Sequence, residues 1–429
     1  MSALADYYGP MTIERNWAGN LTYRASAVEH PGSIDELRHL LARGGAARIL
    51  GSRHCFNDIA DTDGLLIALD RLPVVFEVND ARDAVRVSGG LRYGDLAPLL
   101  DAEGLALANL ASLPHISIAG AVATGTHGSG DAIGSLASAV RALTIITPAG
   151  ETRTLARGDD EFDGAVVSLG ALGAVVDVTL DVEPTYEVAQ HVFEHPSWDA
   201  ILADFDEVTS IGTSVSIFSR WEHTDFADQI WVKQRQPEAR ELARDDLFAR
   251  LGAEPATAKR HPIIGVDPVA CTEQLGESGP WFERLAHFKL EFTPSAGAEI
   301  QSEYLVPRAD AVAAIQAVRT LAGQIAPLLL VNEIRTVAPD YLWLSSSQGT
   351  DAVGIHFTWK PDEAAVRAFL PTLEAALPET ARPHWGKVFT LDAAEVRSRY
   401  ARWDDFAALA RRFDPERRLV NPYLERLGL

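Results

Sequence analysis

ASLPHISIAGAVATGTHGSG, residues 111–130, is preceded by a second compact signal, LGSRHCFND, residues 50–58. Each has a short aliphatic run beside it, residues 47–50 and 116–118, which predicts a glycine-containing loop leaving or approaching a strand. Gly51, Gly120, Gly125, Gly128 and Gly130 let the backbone pass close to a ligand, and the hydroxyls of Ser52, Ser112, Ser117 and Thr126 supply contacts to phosphate or a ring. Either segment alone reads equally as turn and cap chemistry; the pair predicts a long, cofactor-sized surface. Neither has the strand, GxGxxG and helix order of a dinucleotide Rossmann unit, and no GxxxxGK[ST] run is present, which argues against nicotinamide dinucleotides and nucleoside triphosphates. No GxSxG elbow surrounds Ser112, so it is not a hydrolase nucleophile.

Working outward, 429 residues exceed what one hydrophobic core usually serves, so two domains are expected. Lys and Arg total 38 against 60 for Asp and Glu, and a formal charge of -22 disfavours nucleic acid as a partner. No basic segment followed by an apolar stretch opens the chain, and no eighteen consecutive apolar residues occur, so neither export nor a membrane span is expected and the default location is the cytoplasm. Cys55 and Cys271 form no CxxC pair, which argues against zinc and iron–sulfur sites; in a reducing compartment both are expected as free thiols, Cys55 buried beside the cofactor loop.

The first part of the chain predicts helices over 33–43 and 93–103 and strands over 47–50, 65–68, 84–87, 139–147 and 174–182, with Val176, Val178, Leu180 and Val182 on one face. Pro184 marks a boundary. Beyond it, strands are expected over 188–193, 215–218, 290–292, 301–306, 328–333 and 353–359, with helices over 308–321 and 362–376. That pattern gives an α+β class, with an antiparallel sheet roofed by helices in the second domain. The polar, proline-punctuated interval 235–265 reads as a surface excursion.

Two strand motifs carry polar chemistry. In NEIRTV, residues 332–337, alternation puts Glu333 and Arg335 on one face, where an arginine keeps a carboxylate ionised. HFTW, residues 356–359, does the same for His356 and Thr358, and HWGKVF, residues 384–389, brings Lys387. Taken alone, such pairs read equally as ordinary sheet contacts.

As a set, these motifs, running from NWAGN at residue 16 to NPY at residue 421, closely resemble the alditol oxidases of the vanillyl-alcohol-oxidase-like FAD flavoprotein family. The resemblance implies a two-domain FAD-linked oxidase fold, with an FAD-binding domain at 12–183, a substrate domain at 184–394 and a C-terminal return at 395–429. It implies FAD attached to His54 through an 8α-histidyl bond, which a neutral imidazole is able to form, and Arg53 stands where the family pattern has glycine. Gly51, Ser52, Arg53, Cys55, Ser112, Ser117, Gly120, Gly125, Thr126, His127, Gly128 and Asn421 would surround the cofactor. Ser112, Glu333, Arg335, His356, Thr358 and Lys387 would bind a small polyol. Arg335 and Lys387 would stabilise a developing alkoxide and Glu333 would orient the substrate. His356 would position hydroxyls or act as base, unless the cations make a base unnecessary. Molecular oxygen is the implied acceptor and hydrogen peroxide the product, in a monomer; the alternative is a sugar, polyol or aldonolactone dehydrogenase that passes electrons to a quinone or another acceptor.

Overall fold

Alternating burial along Ala174–Asp181, with Val176, Val178 and Leu180 inward, makes this strand the middle of a five-stranded antiparallel sheet. The computed structural model describes residues 15–236 and 244–429; residues 12–14 of the expected first domain and 237–243 of the expected excursion lie outside the described residues. Across the five-stranded sheet the order is Phe76–Val78, Ala84–Ser88, Ala174–Asp181, Val140–Ile146 and Thr152–Ala156. Beside it, Ala27–Glu29, Leu65–Ala68 and Ala47–Leu50 form a parallel three-stranded sheet in that order. Helix Ile34–Ala42 lays Leu37, Leu40 and Leu41 against this sheet, and the Ser33 hydroxyl caps it by accepting from the Glu36 amide.

The largest sheet has nine strands and is antiparallel throughout. At its centre Ser214–Ser219, Leu329–Val337, Ala352–Trp359 and Ile300–Pro307 lie side by side. Helices Ala311–Thr320 and Glu363–Ala376 cover one face, burying Ile315, Val318, Val366, Leu370 and Leu373 against Ile334, Ile355 and Phe357. The other face carries the polar residues described below.

After the big sheet the chain returns. Tyr400, Trp403, Phe406, Leu409 and Leu424 share a core with Val85, Val178 and Leu180 of the first part. Arg48 fastens this return: its buried guanidinium donates to the carbonyls of Ile59, Leu169, Gly170 and Leu419 at 2.6 to 3.1 Å. Both cysteines are free, and among the described residues no helix is long and apolar enough to cross a membrane.

Three sequence expectations are corrected and one strand is added. Residues 118–123 form a short helix, Ile118–Ala123, rather than part of a loop, because Ile118, Ala121 and Val122 fall on one buried face. Residues 290–292 form a turn closed by the Phe292 amide on the Lys289 carbonyl, not a strand. Gln229–Gln236 is a strand that alternation did not reveal, since Gln229, Lys233 and Gln234 are buried beside Ile230 and Val232. Interval 235–265 is a surface excursion only in part: Arg235, near the end of that strand, ion-pairs Glu183, and Leu247, Phe248 and Leu251 of helix Arg244–Leu251 enter the core, while residues 252–260 are exposed or half-buried.

Candidate active site

Strand register assembles the site. Glu303, His356 and Glu333 are directly opposed on three neighbouring strands, as are Gln301 and Thr358 one step along, so their side chains share the face away from the covering helices. Arg335 lies one step the other way, opposite Gly354. A Cβ at Gly354 would meet Glu303 Oε1 and His127 Cε1 at 3.2 Å, so glycine here makes room for the charged group.

The Arg335 guanidinium donates to Glu303 Oε1 at 2.7 Å and to Ser112 Oγ at 3.2 Å, and its Nε lies 3.7 Å from Glu333 Oε2. His127 Nε2 lies 3.0 Å from Glu303 Oε1, and His356 bridges Glu303 Oε2 at 3.3 Å and Thr358 Oγ1 at 3.1 Å. Burial by itself would raise the Glu303 and Glu333 carboxyls. Arg335 overcomes it, helped by His127 and His356 at Glu303 and by His287 at Glu333, and both are held well below the usual carboxylate range. Lys387 donates to Gln301 Oε1 and sits 4.9 Å above the Phe56 ring; burial draws its ammonium down to about 8.

The histidine loop is locked to Lys387. Phe56 N donates to Gly386 O at 2.7 Å, and Asn57 Nδ2 donates to the carbonyls of Trp385 and Lys387 at 2.8 and 2.7 Å. Segment 384–388 in turn runs along the Ile300–Pro307 strand, His384 N on Glu303 O and Val388 N on Gln301 O, both at 2.9 Å. His54 is stacked on Trp17 with centroids 5.1 Å apart. Both of its ring nitrogens are buried with no hydrogen-bond partner, and burial, seconded by His115 and Lys387, drives its pKa down to about 3, so the imidazole is neutral at physiological pH.

Segment 111–130 is the joint between the sheets. Ser112 O accepts from the amides of His287 and Phe288, Gly130 N donates to Thr336 O at 3.0 Å, and Ser129 Oγ bonds Val215 O. At the other end Ser117 N donates to Ser52 Oγ at 3.1 Å. A Cβ at Gly51 or at Gly120 would meet Ser117 Oγ at 2.7 Å, so these two glycines let the histidine loop and the Ile118–Ala123 helix close on each other. Gly125 takes φ +66, a conformation suited to glycine. Arg53 takes φ +63, a left-handed conformation that costs a side chain roughly 1–2 kcal/mol.

Of the residues singled out from sequence, Gly51, Ser52, Arg53, His54, Cys55, Ser112, Gly120, Thr126, His127, Glu333, Arg335, His356, Thr358 and Lys387 line one cavity between the parallel sheet and the polar face. Ser117, Gly125, Gly128 and Asn421 stand behind its wall. Asn421 is a brace: its amide donates to the carbonyls of Asp58, Ile59 and Asp61, and its oxygen caps helix Pro422–Arg426. Gln301, Glu303, His287 and His384 also line the cavity and were not singled out. For Glu303 the signal existed, since Gln301 and Glu303 alternate as Glu333 and Arg335 do.

The unbonded His54 ring and the glycine contact are suited to a large flat group held at the histidine loop, and the polar face beyond it suits a small polyhydroxylated molecule. Comparison with known proteins agrees. A model described as FAD binding domain matches residues 25–156, and one described as D-arabinono-1,4-lactone oxidase matches residues 297–427. The chain is 48% identical to an alditol oxidase of Streptomyces sp. (strain IKD472 / FERM P-14339), over 97% of this chain and 99% of that protein. It is 31% identical to an L-gulono-1,4-lactone dehydrogenase of Mycobacterium tuberculosis, again over 97% and 99%. An L-gulonolactone oxidase of Scyliorhinus torazame is 24% identical over 96% of this chain and 97% of its own length.

Proposed function

Given that the chain belongs to the alditol oxidases of the vanillyl-alcohol-oxidase-like FAD flavoproteins, we propose that it converts the terminal CH2OH of linear alditols such as xylitol and sorbitol to the aldehyde of the aldose. The residues of the cavity would hold FAD, which would supply the two-electron oxidant: the C1 hydride would go to it and the hydroxyl proton to a neighbouring base or solvent, and oxygen, taking up two electrons and two protons, would leave as hydrogen peroxide. The reading is carried by one observation: two desolvated cations, Arg335 and Lys387, face the same cavity as the unbonded His54 ring.

Each residue then has a task. Arg335 and Lys387 stabilise negative charge growing on the C1 oxygen, and they do so strongly because the site is buried. Glu333, ionised and hydrogen-bonded by His287, accepts from substrate hydroxyls. His356, Thr358 and Ser112 complete the row of polar partners. Glu303 balances Arg335 from behind, so that the guanidinium is fixed before substrate arrives. The same reading puts the FAD-binding domain at 12–183, the substrate domain at 184–394 and the return at 395–429.

A neutral, unpartnered imidazole at His54 supports covalent attachment of the flavin there. Acid precipitation of the holoprotein is expected to leave the flavin in the pellet, whereas His54→Ala releases it to the supernatant. Complete release from the unaltered protein would contradict attachment and leave the fold and the reaction standing.

Substrate choice is tested by kcat/KM over glycerol, erythritol, xylitol and sorbitol, with peroxide measured alongside. Glycerol meets fewer of the polar partners, and each unmet charged partner lowers kcat/KM by about tenfold or more, so a rising series is expected. A flat series, or preference for an aldonolactone, is the outcome against alditols. Because one relative is named a dehydrogenase, reoxidation is compared with oxygen and with a quinone; slow reaction with oxygen beside fast quinone turnover excludes the oxidase reading.

A further inference from the structure

A second row of polar groups runs from Glu333 through His287, at the cavity wall, to Lys233, which does not line the cavity. His287 Nε2 is 2.8 Å from Glu333 Oε1, and His287 Nδ1 is 2.9 Å from the Lys233 ammonium. Lys233 belongs to the strand Gln229–Gln236 and is completely buried, yet it touches no carboxylate: its other two contacts are the carbonyls of Leu285 and Ala286. Burial draws Lys233 down to about 7, so below that value it is an ammonium with three hydrogens that accepts nothing, and here it meets three acceptors. In that state His287 Nδ1 is the acceptor of its pair, which leaves the single ring proton on Nε2, aimed at Glu333. The ring cannot readily turn over, because Phe218 and Trp231 pack against it edge-on with centroids 5.7 and 5.2 Å away. Its backbone is pinned as well, by the His287 amide on Ser112 O at 2.8 Å.

We propose that Lys233 is a positioning residue for the oxidation: by fixing the tautomer of His287 it supplies Glu333 with a hydrogen-bond donor and holds that carboxylate in the orientation that receives the substrate hydroxyls. This rests on the reading of Glu333 as a polyol-binding group. It explains why this strand buries a lysine, a choice that is costly unless the ammonium is fully hydrogen-bonded. It also explains why burial leaves His287 neutral, its pKa drawn down to about 4, instead of forming an imidazolium against Glu333. Without Lys233 the proton has two positions, and with the proton on Nδ1 a lone pair faces the carboxylate.

The test measures polyol dissociation constant and limiting rate of flavin reduction separately, on holoprotein, for Lys233→Met, His287→Gln, His287→Asn, the Lys233→Met/His287→Gln double variant and Glu333→Gln. Lys233→Met is expected to raise the xylitol dissociation constant about tenfold, the worth of one hydrogen bond to a charged group, with a much smaller change in the limiting rate. Glutamine places an amide donor where Nε2 stood and has no ring tautomer, so His287→Gln should bind within a few-fold of the parent and Lys233→Met should add nothing on top of it. Unchanged binding in Lys233→Met, or an equal loss in the parent and His287→Gln backgrounds, overturns the proposal. Should Lys233→Met fail to retain flavin, His287→Asn, which cannot reach Glu333, must bind more weakly than His287→Gln; equality overturns the proposal. Glu333→Gln separates the two failures: if it weakens binding while Lys233→Met does not, only the positioning role falls, and if it changes nothing, the reading of Glu333 falls and takes the proposal with it.

Discussion

Replacing Lys387 with methionine is expected to slow reduction of the flavin by xylitol about 10²–10³-fold while FAD stays bound, the usual penalty for removing one donor aimed at a developing oxyanion. Methionine keeps the length and apolar bulk of the side chain. The ammonium rests on the Gln301 amide and over the Phe56 ring, neither of them an anion, but the buried carboxylates of Glu303 and Glu299 also favour its charge, so its removal should cost some stability as well as rate. The unaltered protein carries a pH signature of the same group. Burial draws Lys387 down to about 8, so it is protonated below that value and loses its charge above it. Reduction should therefore fall as pH rises through about 8, and Lys387→Met should lack that limb. A variant that is reduced as fast as the parent, with the same alkaline limb, removes Lys387 from the chemistry. Rapid-mixing spectroscopy at several pH values decides.

Arg335→Ala should behave differently, and the difference comes from Glu303. A role in stabilising the alkoxide would by itself put the main effect of losing Arg335 on the reductive rate. The structure adds a buried carboxylate paired to the guanidinium at 2.7 Å, and leaving such a charge uncompensated destabilises a protein by about 3–5 kcal/mol. Arg335→Ala is thus expected to lose both stability and reduction. Adding Glu303→Gln neutralises the stranded charge, so the double variant should recover much of the unfolding free energy and none of the reductive rate. Denaturant unfolding of the two single variants and the double variant, run beside the kinetics, makes the check. An Arg335→Ala protein as stable as the parent argues against the Glu303 pair; recovery of reduction in the double variant argues against Arg335 as the group that stabilises the alkoxide.

Which parts were readable in the chain follows from range and periodicity. Strands with clean alternation, such as Ala174–Asp181, and helices with a cap and an apolar stripe, such as Ile34–Ala42 behind Ser33, announce themselves locally. Glu333, Arg335, His356 and Thr358 were legible because each pair sits at i and i+2 on one strand. What stayed hidden is of longer range. Gln229–Gln236 looks polar from its own residues, since the partners of Lys233 and Gln229 come from residues 285–287 and 261. The Ile118–Ala123 helix is too short for a periodic signal to outweigh its glycines. Asn421 was placed at the cofactor from its motif, but the geometry of the Asp58–Ala60 turn, which no local pattern gives, takes all of its amide contacts. Arg53 takes a left-handed conformation that glycine adopts without strain, and nothing in the sequence shows that an arginine there does so.

The central claim is electron transfer from a polyol to FAD in this cavity, and anaerobic addition of xylitol or sorbitol to the holoprotein tests it most directly. The oxidised-flavin absorbance should disappear, and on admission of oxygen it should return with one hydrogen peroxide formed per flavin; absorbance that stays unchanged on addition of either polyol would contradict the assignment.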